Sequence, residues 1–412
     1  MPAISVPGDY RKGAWERVSE NIREESLALS ERISALRRDL HRHPELSFKE
    51  FRTAGIVAGL LGELGAEVSE NVGRTGVVGL FRGGEGPVVA IRADMDALPV
   101  LEQTGLPFAS ETEGVMHACG HDIHTACACG AAMLLAKRVG SLGGSVKFIF
   151  QPAEEINEGA KAMLADGVME NPKPDMIFGL HNHPEIPAGK VGVKEGGLMA
   201  SVDTIRITVT GKGGHGALPH RDIDPIAASA AVISALQTIV SRNIDPQQPA
   251  VVSLGTIHAG TANNVIPDSV EMTGTVRTFD ADLRASMEGM LRRVVENTAA
   301  GLGCKGELFY RYDLPPVMNA PDATEIGRRA VAAVAGTDGV VVPVPSMGGE
   351  DFALLQEKAP GCFFWLGVGN PEIGAVHPWH SPLFTADESA LSIGAGVLAQ
   401  SALFALQFLR GE

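Results

Sequence analysis

In eight consecutive residues, His117 to His124, the chain sets one thiol (Cys119), one carboxylate (Asp122) and three imidazoles (His117, His121 and His124). Packing does not require that density of soft and borderline ligand atoms. Three further groups of the same kind follow: Glu154-Glu155, His181-Asn182-His183, and His377-Pro378-Trp379-His380. Collected into one cavity, they suit a divalent ion that polarises a bond and activates water. Such a centre needs a few protein ligands, an open position and a base nearby. Cys119 and His121, two residues apart on a loop entering a helix, can face one cavity. Thiolate favours a borderline or soft ion, and imidazole suits zinc, manganese, nickel and cobalt about equally. Glu154-Glu155 follows an apolar strand, and adjacent strand residues point to opposite sides. One carboxylate is therefore expected to ligate while the other faces water. Two like charges at a cavity also push one pKa upward, which suits a general base. Cys127 and Cys129, about 200° apart on a helix and set among Ala126, Ala128 and Ala131, read as core residues.

The elements that must position these groups alternate along the chain. Leu29, Ile33, Leu36 and Leu40 recur at helical spacing until His43-Pro44-Glu45, within a region of about 27–64 that reads as two helices. Strands are predicted at Gly76–Phe81, Val88–Ile91, Val146–Phe150 and Met176–Leu180, with helices at Ile123–Val139 and Gly159–Leu164 between them. Strand–helix alternation argues for an α/β layer on a mostly parallel sheet, where ligands bind beyond the carboxyl ends of strands. Asp94 and Asp96, Glu154 and Glu155, and His181 all follow predicted strands. Near Gly196-Gly197 the pattern changes. Ile205, Ile207 and Val209 alternate with Thr204, Arg206 and Thr208, as in a strand with one wet face. A helix follows from Pro225 to Ser241 with Asp224 as N-cap. Strands Ala250–Ile257 and Val270–Phe279, a helix from Asp282 to about Ala300, and strand Glu307–Tyr312 complete a β-α-β-β-α-β order, the ferredoxin-like split unit. The chain thus divides into 1–196, an insertion 197–312, and 313–412, where the α/β pattern resumes with Val340–Val344, a helix near Glu350, Cys362–Leu366 and a final helix.

Bulk properties set the surroundings. A chain of 412 residues implies two domains, and 45% apolar with 20% charged residues is globular. A net charge of −15 argues against nucleic acid or an anionic membrane as partner. An anionic substrate would then need a specific positive residue. Five cysteines, an odd number without a framework, indicate a reducing compartment. The first 27 residues carry charges throughout and do not read as a secretory signal. The apolar run Ile393–Leu409, interrupted by Gln400, Ser401 and Gln407, reads as a buried helix rather than a membrane span. A cytoplasmic protein is expected.

From Leu36 to Leu391 the sequence resembles the metallo-aminoacylase and carboxypeptidase family, peptidase family M20, in the amidohydrolase branch with hippurate hydrolases and plant auxin-conjugate hydrolases. The motifs that carry the resemblance are Leu40-His41-Arg42-His43-Pro44-Glu45-Leu46, Arg92-Ala93-Asp94-Met95-Asp96-Ala97-Leu98-Pro99, His117-Ala118-Cys119-Gly120-His121-Asp122 and Gln151-Pro152-Ala153-Glu154-Glu155. Further along are Gly213-Gly214-His215-Gly216-Ala217, Asn264-Val265-Ile266-Pro267, Met347-Gly348-Gly349-Glu350-Asp351-Phe352 and His380-Ser381-Pro382. The resemblance implies a zinc-peptidase-like catalytic domain with an inserted ferredoxin-like lid and dimerisation domain. It also implies two divalent metal ions (manganese, zinc, nickel or cobalt) held by Cys119, His121, Glu155, His181 and His380, with Glu154 as general base. Spacing does not choose His181 over His183, or His380 over His377; the motifs do. Asp96 would orient a ligand, and His215 of the insertion would stabilise an oxyanion in an active site, its flanking glycines letting the backbone come close. Asn264 and His220 would help to bind substrate. Arg277 is the candidate for the substrate carboxylate, against the alternative of an ion pair on its strand face. The activity implied is hydrolysis of N-acyl or N-aroyl amino acids by a homodimer or tetramer, with a dipeptidase or an aromatic-amine hydrolase as alternatives on the same site. A metal-binding protein without catalysis is the alternative of another class. Cys127 is unusual for the branch and is expected to line the pocket wall; residues 1–26 precede the first matching helix.

Overall fold

The computed structural model describes residues 21–412, so most of the N-terminal extension lies outside the described residues. The chain forms two compact units. One comprises the described residues up to Gly196 with Asn319–Pro343 and Leu354–Glu412; the other comprises Gly197–Met318 and Val344–Ala353.

The first unit is built on an eight-stranded sheet. Its order is Glu67–Val72, Gly76–Arg82, Ser145–Gln151, Val88–Asp94, Met176–Pro187, Gly361–Gly369, Val191–Gly192 and Val340–Val341. The central strands Ser145–Gln151, Val88–Asp94, Met176–Pro187 and Gly361–Gly369 pair parallel, and antiparallel pairing is confined to the flanks. Strands covered on both faces should be apolar throughout, and Val88–Asp94 is buried at every residue. Ser30–Arg42, Phe51–Glu63, His121–Ala136, Pro321–Ala335 and Ser389–Leu409 supply the helical layers. Ser389–Leu409 is long and apolar enough to cross a membrane, but 89% of its apolar window is buried in this core. The predicted strand Val340–Val344 is only Val340–Val341. Pro343 and Pro345 lack the N–H that a ladder needs. Helix Pro321–Ala335 and strand Glu67–Val72 were not read from the sequence.

The second unit has a four-stranded antiparallel sheet in the order Ala250–Ala259, Ser269–Thr278, Val202–Thr210, Lys305–Leu314. Helices Pro225–Thr238 and Ala281–Gly301 pack on one face, where Ile205, Ile207, Val209, Val232, Leu236, Met287 and Leu291 form a separate core. The strict in–out alternation of Val202–Thr210 follows from having one covered face. Asp224 caps the first helix as expected, its Oδ1 accepting from the N–H groups of Ile226 and Ala227.

Candidate metal centre

The first unit gathers the ligand-competent side chains at the carboxyl ends of its central strands. Gly120, at φ +87°, turns the chain into helix His121–Ala136, so Cys119 ends the loop and His121 begins the helix. His181 lies within strand Met176–Pro187 at the point where it passes the paired strand's Trp365. His380 arrives on a loop whose backbone N–H donates to the carbonyl of Ala118 at 2.9 Å, tying the fourth sequence cluster to the first.

Three groups of donor atoms are drawn wholly from the predicted ligands and Glu154. Cys119, His121 and His181 form one; Cys119, Glu155 and His380 form another, sharing the thiol; His121, Glu154 and Glu155 form the third. His181 Nε2 stands 3.4 Å from Cys119 Sγ, and Glu155 Oε2 stands 3.5 Å from His380 Nε2. His183 and His377 belong to none of these groups. His183 instead packs edge-on against Trp365 and Trp379, each ring centroid 4.9 Å away.

The donors suit a metal because several make no hydrogen bond. Both ring nitrogens of His121 and Oε1 of Glu155 are enclosed without a hydrogen-bond partner among the described residues. Such groups are costly to bury, and a dication between them would remove the cost. Burial lowers the basicity of the His121 ring, yet the Asp94 carboxylate and the Cys119 thiol overcome it and hold the ring well above the ordinary imidazole range. Burial, then the Glu155 charge, pushes the Cys119 thiol well up. Beside the effect of burial, the Asp94 carboxylate near His121 and the Glu155 carboxylate near Cys119 lend the pocket negative charge that would favour a cation.

Strand alternation does not govern the two glutamates. The strand ends at Gln151, and Ala153 adopts a left-handed φ of +52°. Both carboxylates consequently reach the same ring: His121 Nε2 lies 3.9 Å from Glu154 Oε2 and 3.7 Å from Glu155 Oε1. Burial raises the pKa of Glu155, with the neighbouring histidines opposing. Asp96 organises this turn. Its Oδ1 accepts from Glu154 N–H at 3.0 Å, and its Oδ2 accepts from Glu155 N–H at 3.2 Å and from the Ser47 hydroxyl at 2.6 Å. The same carboxylate stands 3.3 Å from His121 Nδ1. Burial would raise its pKa, but the adjacent His121 ring and the Ser47 hydrogen bond hold it below the usual carboxylate range.

Of the supporting residues, Asp94, Asp122, His124, His117 and His41 stand in the clusters and motifs of the sequence, whereas Arg37 and Glu50 carry no signal of their own. Asp94 accepts from Arg92 Nη1 at 2.7 Å and bonds His124 Nδ1 at 2.6 Å. Asp122 is clamped by Arg37 Nε at 2.7 Å and His41 Nδ1 at 2.8 Å. Glu50, buried, accepts from the N–H of Ala153. His117 is buried with neither nitrogen partnered among the described residues, and burial pushes its pKa down to about 4. Cys127 is fully buried: its Sγ donates to the carbonyl of Leu391 and sits where Gly394 leaves room for it, between two helices.

In the second unit, His215 and Val265 pair in a two-stranded ribbon, and Gly216 N–H donates to the carbonyl of Asn264 at 2.8 Å. His215 Nδ1 accepts from Ala217 N–H, so the ring proton sits on Nε2. His220 is exposed on the turn that follows. Arg277 is half-buried on strand Ser269–Thr278. Asp203 is taken by Arg284 and Tyr310, and Asp313 by Arg311 and Thr204. Among the described residues Arg277 has no ion pair, and its Nη1 is enclosed without a partner.

Residues 90–403 match the model of peptidase family M20/M25/M40. The chain belongs to that family. It is therefore a hydrolase of amide bonds, of a kind that works with divalent metal ions. It is 49% identical to an N-acetylcysteine deacetylase of Bacillus subtilis, across 93% of this chain and 99% of the relative. It is 37% identical to an IAA-amino acid hydrolase (ILR1-like 2) of Arabidopsis thaliana, across 91% and 84%. Among solved structures it resembles the Bacillus subtilis YXEP protein, a dinuclear metal binding peptidase from the M20 family, with a TM-score of 0.82, 45% identity, and coverage of 92% and 99%.

Proposed function

We propose that this chain cleaves the amide bond of N-acyl or N-aroyl amino acids. Cys119, His121, Glu155, His181 and His380 hold two divalent ions, and Glu154 is the general base. The observation that carries this reading is the pair of donor triads joined at Cys119 with Glu154 beside them. When bound, the ions would polarise the scissile carbonyl and acidify a water molecule. Glu154, 8% exposed, is placed to take the water proton and return it to the departing amine. Asp96 holds the backbone of both glutamates and so keeps base and ligand in one geometry. His215, with its proton on Nε2, is suited to donate to the oxyanion. Arg277, without a carboxylate partner of its own, is suited to pair with that of the substrate. Asn264 and His220 share the ribbon and turn around His215 and complete the binding role. The names of the similar deacetylase and amino-acid hydrolase support the acyl-amino-acid class. A homodimer or tetramer through the second unit and a cytoplasmic location, where all five free cysteines stay reduced, complete the reading.

The test is a panel of N-acetyl, N-benzoyl and indole-acetyl amino acids beside dipeptides, assayed with manganese, zinc, nickel or cobalt. Release of the amino acid from at least one acyl class is expected; no release from any would sink the proposal. Glu154→Ala should lower turnover by roughly 10²–10⁴-fold while metal content stays at the wild-type value. Full turnover in that variant would remove Glu154 from its role.

A further inference from the structure

Asn182 lies between two histidines, only one of which joins a donor group, and is itself fully buried. Its side chain joins three separate segments. Nδ2 donates to the carbonyl of Cys119 at 2.6 Å and to Nε2 of His124 at 2.9 Å, and Oδ1 accepts from Trp379 Nε1 at 3.2 Å. The amide orientation is fixed by its partners, since a carbonyl can only accept and an indole can only donate. Its backbone takes part too. The N–H donates to His124 Nε2 at 2.9 Å, and the carbonyl accepts from His181 Nδ1 at 2.7 Å and from Trp379 Nε1 at 3.2 Å. With its proton on Nδ1, His181 presents a bare Nε2 toward Cys119 Sγ. His124 Nε2 faces two donors, so its own proton is on Nδ1 and is given to Asp94, which Arg92 anchors. Gly120 has room for no side chain, because a Cβ there would lie 2.3 Å from Asn182 Nδ2.

We propose that Asn182 is a positioning residue that sets the ligands of the metal centre in register. Its buried side-chain amide locks the Cys119 loop, His124 and the Trp379-His380 loop to one another, while its backbone carbonyl holds His181. The proposal rests on the ligand assignment above. An amide is suited to the place because it offers two donors and an acceptor on one short plane. Aspartate has nearly the same shape but would set an oxygen against the Cys119 carbonyl and the lone pair of His124. Leucine would satisfy none of the three partners.

The experiment compares metal-stripped wild type, Asn182→Asp and Trp379→Phe during titration with cobalt(II). It follows the thiolate-to-cobalt charge-transfer band, the visible ligand-field bands, binding affinity and steady-state kinetics after loading. In Asn182→Asp, affinity should weaken by about 10–100-fold, the ligand-field bands should move, and kcat should fall with KM little changed. Trp379→Phe removes the indole donor but keeps an aromatic ring against Trp365, His181 and His183, and should produce the same changes in smaller measure. A folded Asn182→Asp protein with the wild-type spectrum, affinity and kcat would overturn the proposal. Should Asn182→Asp fail to fold by circular dichroism, Trp379→Phe decides by the same readouts, and wild-type behaviour there overturns the proposal. A wild type with no thiolate band would sink the assignment of Cys119 first and this proposal with it; a wild-type band unchanged in the variants sinks this proposal alone.

Discussion

Asp96 shows how much of a centre can depend on one carboxylate that need not touch a metal. It accepts both backbone N–H groups of the Glu154-Glu155 turn and faces His121 Nδ1, so it fixes the turn that carries the proposed base and ligand. Asp96→Asn keeps the shape but turns at least one of those acceptors into a donor. The expected result is metal binding weaker by about 10–100-fold, measured by titration of the stripped protein, and a lower kcat at saturating metal. Unchanged affinity and kcat would mean that the turn holds itself. Side-chain types announced the chemistry at this scale: a thiol, carboxylates and imidazoles are legible in any sequence that crowds them. The partners that orient them are not. Asp96, 58 residues from Glu154, is marked only by the family motif that holds it, and nothing local ties Asn182 to Trp379, 197 residues away. The opposed-sides reading of Glu154-Glu155 failed for a local reason, the left-handed Ala153 just past the strand end.

Helix Ser30–Arg42 has a function that its apolar periodicity conceals. Ile33 and Leu40 mark its core face as the spacing predicts, but on that same face Arg37 and His41 are fully buried. They grip Asp122 in the first turn of the helix that begins with His121. One element thus fixes the N-terminus of another and, with it, the adjacent ligands. Breaking a buried pair leaves an uncompensated charge, so Arg37→Met should destabilise the metal-free protein by about 3–5 kcal/mol, read from urea unfolding. The pH dependence has a definite sign. Burial would raise the Asp122 carboxyl, but Arg37 and His41 hold it well below the ordinary range. Its stabilisation is complete above the unfolded value of about 3.9 and is lost as pH falls below that. Melting temperature of the metal-free protein should therefore drop in acid, and Asp122→Asn should flatten that drop; parallel curves would assign the acid sensitivity elsewhere. Strand–helix alternation made the main sheet legible, because β-branched runs and Gly or Pro breaks are local signals. Glu67–Val72 escaped because Glu70 interrupts the face that Val68 and Val72 share, leaving too short an apolar signal to announce an edge strand.

At the scale of the molecule, all six side chains of the three donor groups (Cys119, His121, Glu154, Glu155, His181 and His380) belong to the first unit. The second unit has its own core, and His215, Asn264 and Arg277 in it are proposed for substrate rather than metal. A ligand stabilises only the structure that binds it, by about 2.7 kcal/mol at a hundredfold excess over its dissociation constant. For a unit of this size that corresponds to roughly 5–10 °C. Calorimetry of stripped and reconstituted protein should resolve two transitions, one rising on metal addition and the other staying in place. Cys119→Ser should abolish most of the rise, because both triads share that thiol. If both transitions rise together, the ions draw ligands from both units or the units unfold as one, and the metal centre is not the property of the first unit alone.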